Sequence, residues 1–168
     1  QTYTRVRSSA ASDVYKEQIQ YRPPDVLVSS SGKLIALIDR EGKMWVSTRR
    51  SDRFDAGIWA RRHGNDPENL QKWSENPNIL CGEEGCRTAW NGRRIALSLH
   101  MAAQEEDCAW ADILITSEPL KIKSCAAKTT IDLYDLRDSG AHAIWPDGTV
   151  KTVKSVRGSR PWTISNRR

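Results

Sequence analysis

The chain is poor in the residues that make hydrolytic centres and membrane spans. It has three histidines in 168 residues, His63, His100 and His142, and they stand apart from one another. No H-x-H, H-x-x-E-H or H-E-x-x-H run occurs, and a hydrolytic metal centre draws on clustered donors of that kind. There is no G-x-S-x-G nucleophile elbow and no glycine-rich phosphate loop, so serine-hydrolase and P-loop chemistry have no footing. No metal, no other cofactor and no catalytic residue set is expected. The longest apolar runs are residues 34–38 and 113–115, far short of the ~20 residues a spanning helix needs. Residues 1–22 are polar and lack the apolar stretch of a signal peptide. The chain does not open on methionine, which reads as a mature fragment or a piece of a longer protein.

What the chain has is charge in particular places. Its net charge is +5, yet residues 149–168 carry six basic side chains (Lys151, Lys154, Arg157, Arg160, Arg167 and Arg168) and no acidic one. The preceding body is therefore close to neutral. A localised basic cluster is a better phosphate contact than a uniformly basic surface; the bland alternative is a solvated C-terminus. A second group, Arg49, Arg50, Arg53, Arg61 and Arg62, surrounds a predicted helix that also holds Trp59 and ends near His63. Arginine grips phosphates and tryptophan stacks on unpaired bases. Arg49, Arg50, Arg53, Trp59, Arg61, Arg62, Lys151, Lys154, Arg157, Arg160 and Trp162 are thus the candidate DNA contacts. Against this stands the reading that the seven tryptophans are core, some packed by arginine stems.

The four cysteines fall into two pairs, Cys81 with Cys86 and Cys108 with Cys125. Two glycines ease the tight turn between the first two. Pairing as Cys81–Cys86 and Cys108–Cys125 disulfides is expected in an oxidising compartment. Free thiols are the alternative, and the sixteen residues between Cys108 and Cys125 suit a zinc site poorly.

Short runs of β-branched and apolar residues between glycine turns predict strands at 25–29, 33–39 and 43–47. The second is apolar on both faces, so it should be central and covered twice. Residues 53–62 predict a helix, with Phe54, Ile58 and Trp59 on its buried face, Asp52 as its cap and Gly64 at its end. A shorter helix is expected within 68–73. Strands at 79–81 and 87–90 pair around the cysteine loop, and Asn91-Gly92 turns the chain into 94–99. A helix at 102–110 and a strand at 112–116 complete a βαβ-like unit with parallel pairing. Further strands are expected at 129–132 and 141–145, a turn or short helix at 132–137, and a last segment at 149–156. The sum is a mixed, mostly β α/β domain over residues 23–156 with two or three short helices, a loose arm over 1–22 holding a short helix at 13–19, and a basic tail over 157–168.

One resemblance adds to this reading. Pro24-Asp25-Val26-Leu27-Val28, Ser31-Gly32-Lys33-Leu34-Ile35-Ala36, Trp59-Ala60-Arg61-Arg62-His63-Gly64, the Cys81 and Cys86 loop, Cys108-Ala109-Trp110-Ala111-Asp112-Ile113-Leu114, Cys125, Ile131-Asp132, Gly140-Ala141-His142-Ala143 and Arg160-Pro161-Trp162 together resemble the C-terminal soluble region of alphaproteobacterial ComEC proteins, competence channels for DNA uptake. The resemblance implies a degenerate metallo-β-lactamase-like fold on the periplasmic side of the inner membrane, as part of a membrane-anchored protein. It implies as partners DNA, single- or double-stranded, the transmembrane channel portion of the same full-length protein and other competence proteins, with no small-molecule substrate. Typical members carry a His/Asp metal centre thought to degrade the strand that is not imported. Here the H-x-H-x-D-H run is missing, and Thr116-Ser117-Glu118-Pro119 stands where a histidine pair would be. The expectation is a non-catalytic domain that guides DNA at the channel mouth during natural transformation. The alternatives are a structural or protein-interaction domain without DNA contact, and a residual hydrolase using Asp112, Asp132, His100 or His142.

Overall fold

A computed structural model describes residues 22–158. The arm before Arg22, with its expected helix, and the tail beyond Gly158, with Arg160 and Trp162, lie outside the described residues. In chain order the strands are β1 (Val26–Val28), β2 (Ile35–Ile38), β3 (Met44–Val46), β4 (Gln71–Lys72), β5 (Ile79–Cys81), β6 (Gly85–Trp90), β7 (Arg93–Ser98), β8 (Ile113–Thr116), β9 (Thr129–Ile131), β10 (His142–Ile144) and β11 (Val150–Thr152). The helices are α1 (Arg53–Arg62), α2 (Gln104–Trp110), α3 (Leu133–Ser139) and α4 (Val153–Arg157).

The strands form two sheets, a six-stranded one ordered β11-β10-β1-β2-β3-β4 and a five-stranded one ordered β5-β6-β7-β8-β9. Most pairs are antiparallel; β3–β4, β7–β8 and β8–β9 are parallel. The expected βαβ unit is present, with α2 crossing between β7 and β8.

Side chains alternate across a strand, so a strand apolar at every position must be covered on both faces. Val26, Val28, Ile35 and Leu37 from the first sheet meet Ile95, Leu97, Ile113 and Ile115 from the second in one inner core. On the outer face of the first sheet, Leu27, Ala36, Ile38, Met44 and Val46 pack on Ala56 and Ala60 of α1. On the outer face of the second, Ala96 and Leu114 pack with Cys108 of α2 and with Leu120, Ile122 and Cys125. The layers run helix, sheet, sheet, helix. As expected, β2 is central and buried along its whole length.

Both disulfides form as paired in the sequence reading. Cys81–Cys86 links facing residues of β5 and β6, and Cys108–Cys125 ties the segment after β8 onto α2. Polar clamps join the sheets. Trp90 Nε1 donates to the Ile38 carbonyl at 3.0 Å. The Arg93 guanidinium grips both carboxylate oxygens of Asp25 at 2.6 Å and donates to the Trp145 carbonyl at 2.9 Å.

Four expectations are corrected. α1 spans the expected residues and Trp59 packs on the core as expected, but Phe54 and Ile58 are exposed and Ala56, Gly57 and Ala60 take the buried places. The helix expected within 68–73 is replaced by two single 3₁₀ turns, Pro67–Asn69 and Trp73–Glu75, on either side of β4. The segment 149–156 is a strand only to Thr152, whose side chain accepts from Ser155 N at 3.0 Å and starts α4. That makes four short helices rather than two or three.

Candidate nucleic-acid interface

The sheet register collects basic residues that lie far apart in the chain. Thr152 faces His142, His142 faces Val28, and Val28 faces Ile35. Ser47 N then donates to the Ile35 carbonyl at 2.8 Å, extending the row past the end of β3. Three segments leave this edge: α4 with Lys154 and Arg157, the β1–β2 turn with Lys33, and the β3–α1 connection with Arg49 and Arg50, which runs into Arg53 at the start of α1. Neighbouring strands are about 4.8 Å apart, so the row is ~20 Å wide, the length of about six phosphates along one strand of a duplex.

Local chemistry holds the loops in this arrangement. Ser29 Oγ donates to the Asp52 carboxylate at 2.8 Å and accepts from Leu34 N at 3.2 Å. Ser31 Oγ donates to the same carboxylate and accepts from Lys33 N at 3.0 Å. Ser47 Oγ accepts from Ile35 N at 2.9 Å and donates to the Lys33 carbonyl at 3.3 Å. Asp52 was expected to cap α1. It does stand at the cap position, but with a left-handed backbone (φ 50°) and its carboxylate turned to the serines instead of to the helix. Gly32 has φ +70°, and a Cβ there would lie 2.7 Å from Leu136 Cδ1 and 3.3 Å from Ser117. Only glycine lets the β1–β2 turn rest on α3 and on the second sheet.

The candidate contacts divide. Arg50, Arg53 and Arg157 are exposed and, among the described residues, have no carboxylate partner. Lys33 joins them. Sequence reasoning passed over it, although the Ser-Ser-Ser-Gly turn before it marks it as a hairpin-tip cation. Arg49 pairs with Glu75 at 3.0 Å and Lys154 with Asp138 at 2.8 Å, both at exposed positions where water screens the pair. Lys151 sits over the Trp145 ring at 5.2 Å on the edge strand β11, where a lysine also guards against edge pairing. Arg61 and Arg62 do not belong to this end. Asn65, just past α1, accepts from Met44 N and donates to the Gly42 carbonyl, which places the C-terminus of α1 at the opposite end of the sheet. Trp59 is partly buried against the core under α1, which leaves only part of its ring open to stacking.

Metal chemistry finds no donor set. Among the described residues no three His, Cys, Asp or Glu side chains converge. His142 is buried in β10 with Nδ1 2.9 Å from the Gly140 carbonyl, and burial pushes its pKa down. His63 is half-buried, its pKa lowered by burial and by the Arg62 charge. His100 is exposed after β7. Asp112 precedes β8 and is bound to Arg94, which depresses its pKa, whereas Asp132 follows β9 and caps α3. The two carboxylates stand at opposite ends of the second sheet. The residues present do not fit the metal centre that the resemblance implies for typical members.

Two disulfides are the mark of an oxidising compartment, secreted or periplasmic. Among the described residues no helix is long and apolar enough to cross a membrane. No family model, no curated protein and no solved structure matches the chain.

Proposed function

We propose that this chain is a non-catalytic periplasmic domain of a ComEC-type DNA-uptake channel and that it guides DNA at the channel mouth. The observation that carries the reading is the row of cations. Lys33, Arg50 and Arg53 share one end of the first sheet with Lys154 and Arg157, although more than a hundred residues separate them in the chain. Phosphate contacts need clustered charge and no base-specific group, and of these five cations only Lys154 is ion-paired, at an exposed position. The disulfides suit the periplasm, and the two-sheet α/β architecture is compatible with a metallo-β-lactamase relation. The partners of such a domain are DNA, the transmembrane channel portion of the full-length protein and other competence proteins.

A structural role in the channel is the second reading, favoured by the pairing of Arg49 and Lys154 with carboxylates and by the partial burial of Trp59. Fluorescence anisotropy separates the two. A labelled single strand and a labelled duplex are titrated with the intact chain at low and moderate salt. Binding that weakens as salt rises supports DNA handling; no binding to either form at low salt leaves the structural role.

A further inference from the structure

The outward face of α1 has a composition that phosphate binding alone does not explain. At about 100° per residue, Arg61, Phe54, Ile58 and Arg62 fall within one arc of about 100°. Phe54 is 79% exposed and Ile58 36% exposed, while Ala56, Gly57 and Ala60 face the sheet. Phe54 is the only phenylalanine in the chain. An i, i+4 pair of large apolar side chains on a helix surface forms one continuous patch. Arginines flank it: Arg53 before, Arg61 and Arg62 after, none with a carboxylate partner among the described residues. The only acid within α1 is Asp55, half-buried beside this arc, and burial together with the Asp52 charge raises its pKa.

Apolar side chains at the crest of a helix with arginines along its flanks are the pattern of a segment that lies on an anionic bilayer. The aromatic and aliphatic groups enter the headgroup boundary, and the guanidiniums meet lipid phosphates. Arg61 is set for this, since its Nη1 donates to the Gly57 carbonyl at 3.2 Å and holds the stem along the helix. We propose that α1 docks this domain onto an anionic phospholipid surface through Phe54, Ile58, Arg61 and Arg62. Charge complementarity selects the occupant: basic flanks call for an anionic surface, and the apolar crest calls for one with an accessible hydrocarbon layer. The proposal goes beyond DNA handling and uses other residues. Lys33, Arg50 and Arg157 at the sheet end remain free for phosphates of DNA while α1 rests on lipid.

The test is co-sedimentation of the intact chain with phosphatidylcholine vesicles, with and without phosphatidylglycerol. Binding is expected only with phosphatidylglycerol and should fall with salt. Phe54→Ser with Ile58→Ser should abolish most of it. Arg61→Glu with Arg62→Glu should weaken partitioning by at least on the order of 30-fold. Phe54, Arg61 and Arg62 are exposed and Ile58 is partly so, and thermal melting of both variants checks that the fold is kept. The oligonucleotide affinity of Phe54→Ser with Ile58→Ser, which leaves the charge alone, should also be unchanged by anisotropy, so that failure here and failure of the DNA reading are distinguishable. No binding to phosphatidylglycerol vesicles at low salt overturns the proposal, and so does binding that Phe54→Ser with Ile58→Ser leaves intact. Loss of oligonucleotide affinity in these variants without loss of vesicle binding would assign the face to DNA.

Discussion

Buried charged and titratable residues make firm demands on their surroundings. The Asp25 side chain is 5% exposed and Arg93 15% exposed, and their bidentate pair joins one sheet to the other. Arg93 Nε is buried without a partner, so the guanidinium relies on Asp25 and the Trp145 carbonyl. Breaking a buried pair leaves an uncompensated charge. Asp25→Asn should therefore cost about 3 kcal/mol in urea unfolding; a cost under about 1 kcal/mol, the range of an exposed pair, would show that water reaches the site. His142 makes a pH-dependent demand. Burial lowers its folded pKa, with the Gly140 carbonyl and Asp135 pulling the other way. The unfolded chain, titrating near ~6.5, then takes up its proton first as pH falls. Stability is unaffected by this group above that pH and declines below it, and His63 acts in the same direction. The melting temperature should fall between about pH 7 and pH 5, and less steeply in His142→Gln. The depressed carboxylates Glu75, Glu106, Asp112 and Asp147 act lower, below about pH 4. An identical slope in wild type and His142→Gln would remove His142 from the account.

At the scale of elements, the local pattern gave existence and type but not always orientation. The strands at β1, β2 and β3, the Asn91-Gly92 hairpin and the β7–α2–β8 crossover were legible because each follows a short-range rule of alternation or turn chemistry. The face of α1 was not. Phe54, Ile58 and Trp59 are its bulkiest apolar residues, so periodicity placed them inward. The sheet beneath already presents Leu27, Ala36, Ile38, Met44 and Val46, and α1 lies close on it chiefly through the small residues Ala56, Gly57 and Ala60, with Trp59 partly buried beside them. Packing volume overrode hydrophobic pattern. The disulfide pairing was legible from spacing alone. Cys108–Cys125 closes a loop of sequence separation 17 and holds Leu120, Ile122 and Ala127 over the second sheet. Replacing both cysteines with alanine should lower stability by about 3 kcal/mol in denaturant unfolding. A change under about 1 kcal/mol would show that the segment stays in place without the bond.

At the scale of the molecule, the site depends on long-range register. Nothing local in the sequence says that β10 lies beside β1, yet that pairing brings α4 to the turn that carries Lys33. The arginines around α1 looked like one cluster; the helix separates them, with Arg49, Arg50 and Arg53 at one end and Arg61 and Arg62 at the other. One end of the first sheet is thus suited to phosphates, and the outward face of α1 to an anionic apolar surface. Because β11 is an integral strand of that sheet, truncating the chain after Gly148 would damage the fold, so substitution is the cleaner probe. The most direct measurement is the salt dependence of single-strand binding by anisotropy, for the intact chain beside the triple variant Lys33→Ala, Arg50→Ala and Arg53→Ala. Each lost phosphate contact should reduce the slope of log K against log salt by about 0.7 on a single strand. Weaker binding in the variant and a slope shallower by about 2 are expected. Equal affinity and equal slope in the two proteins would contradict this, because the end of the sheet would then not be where DNA is held.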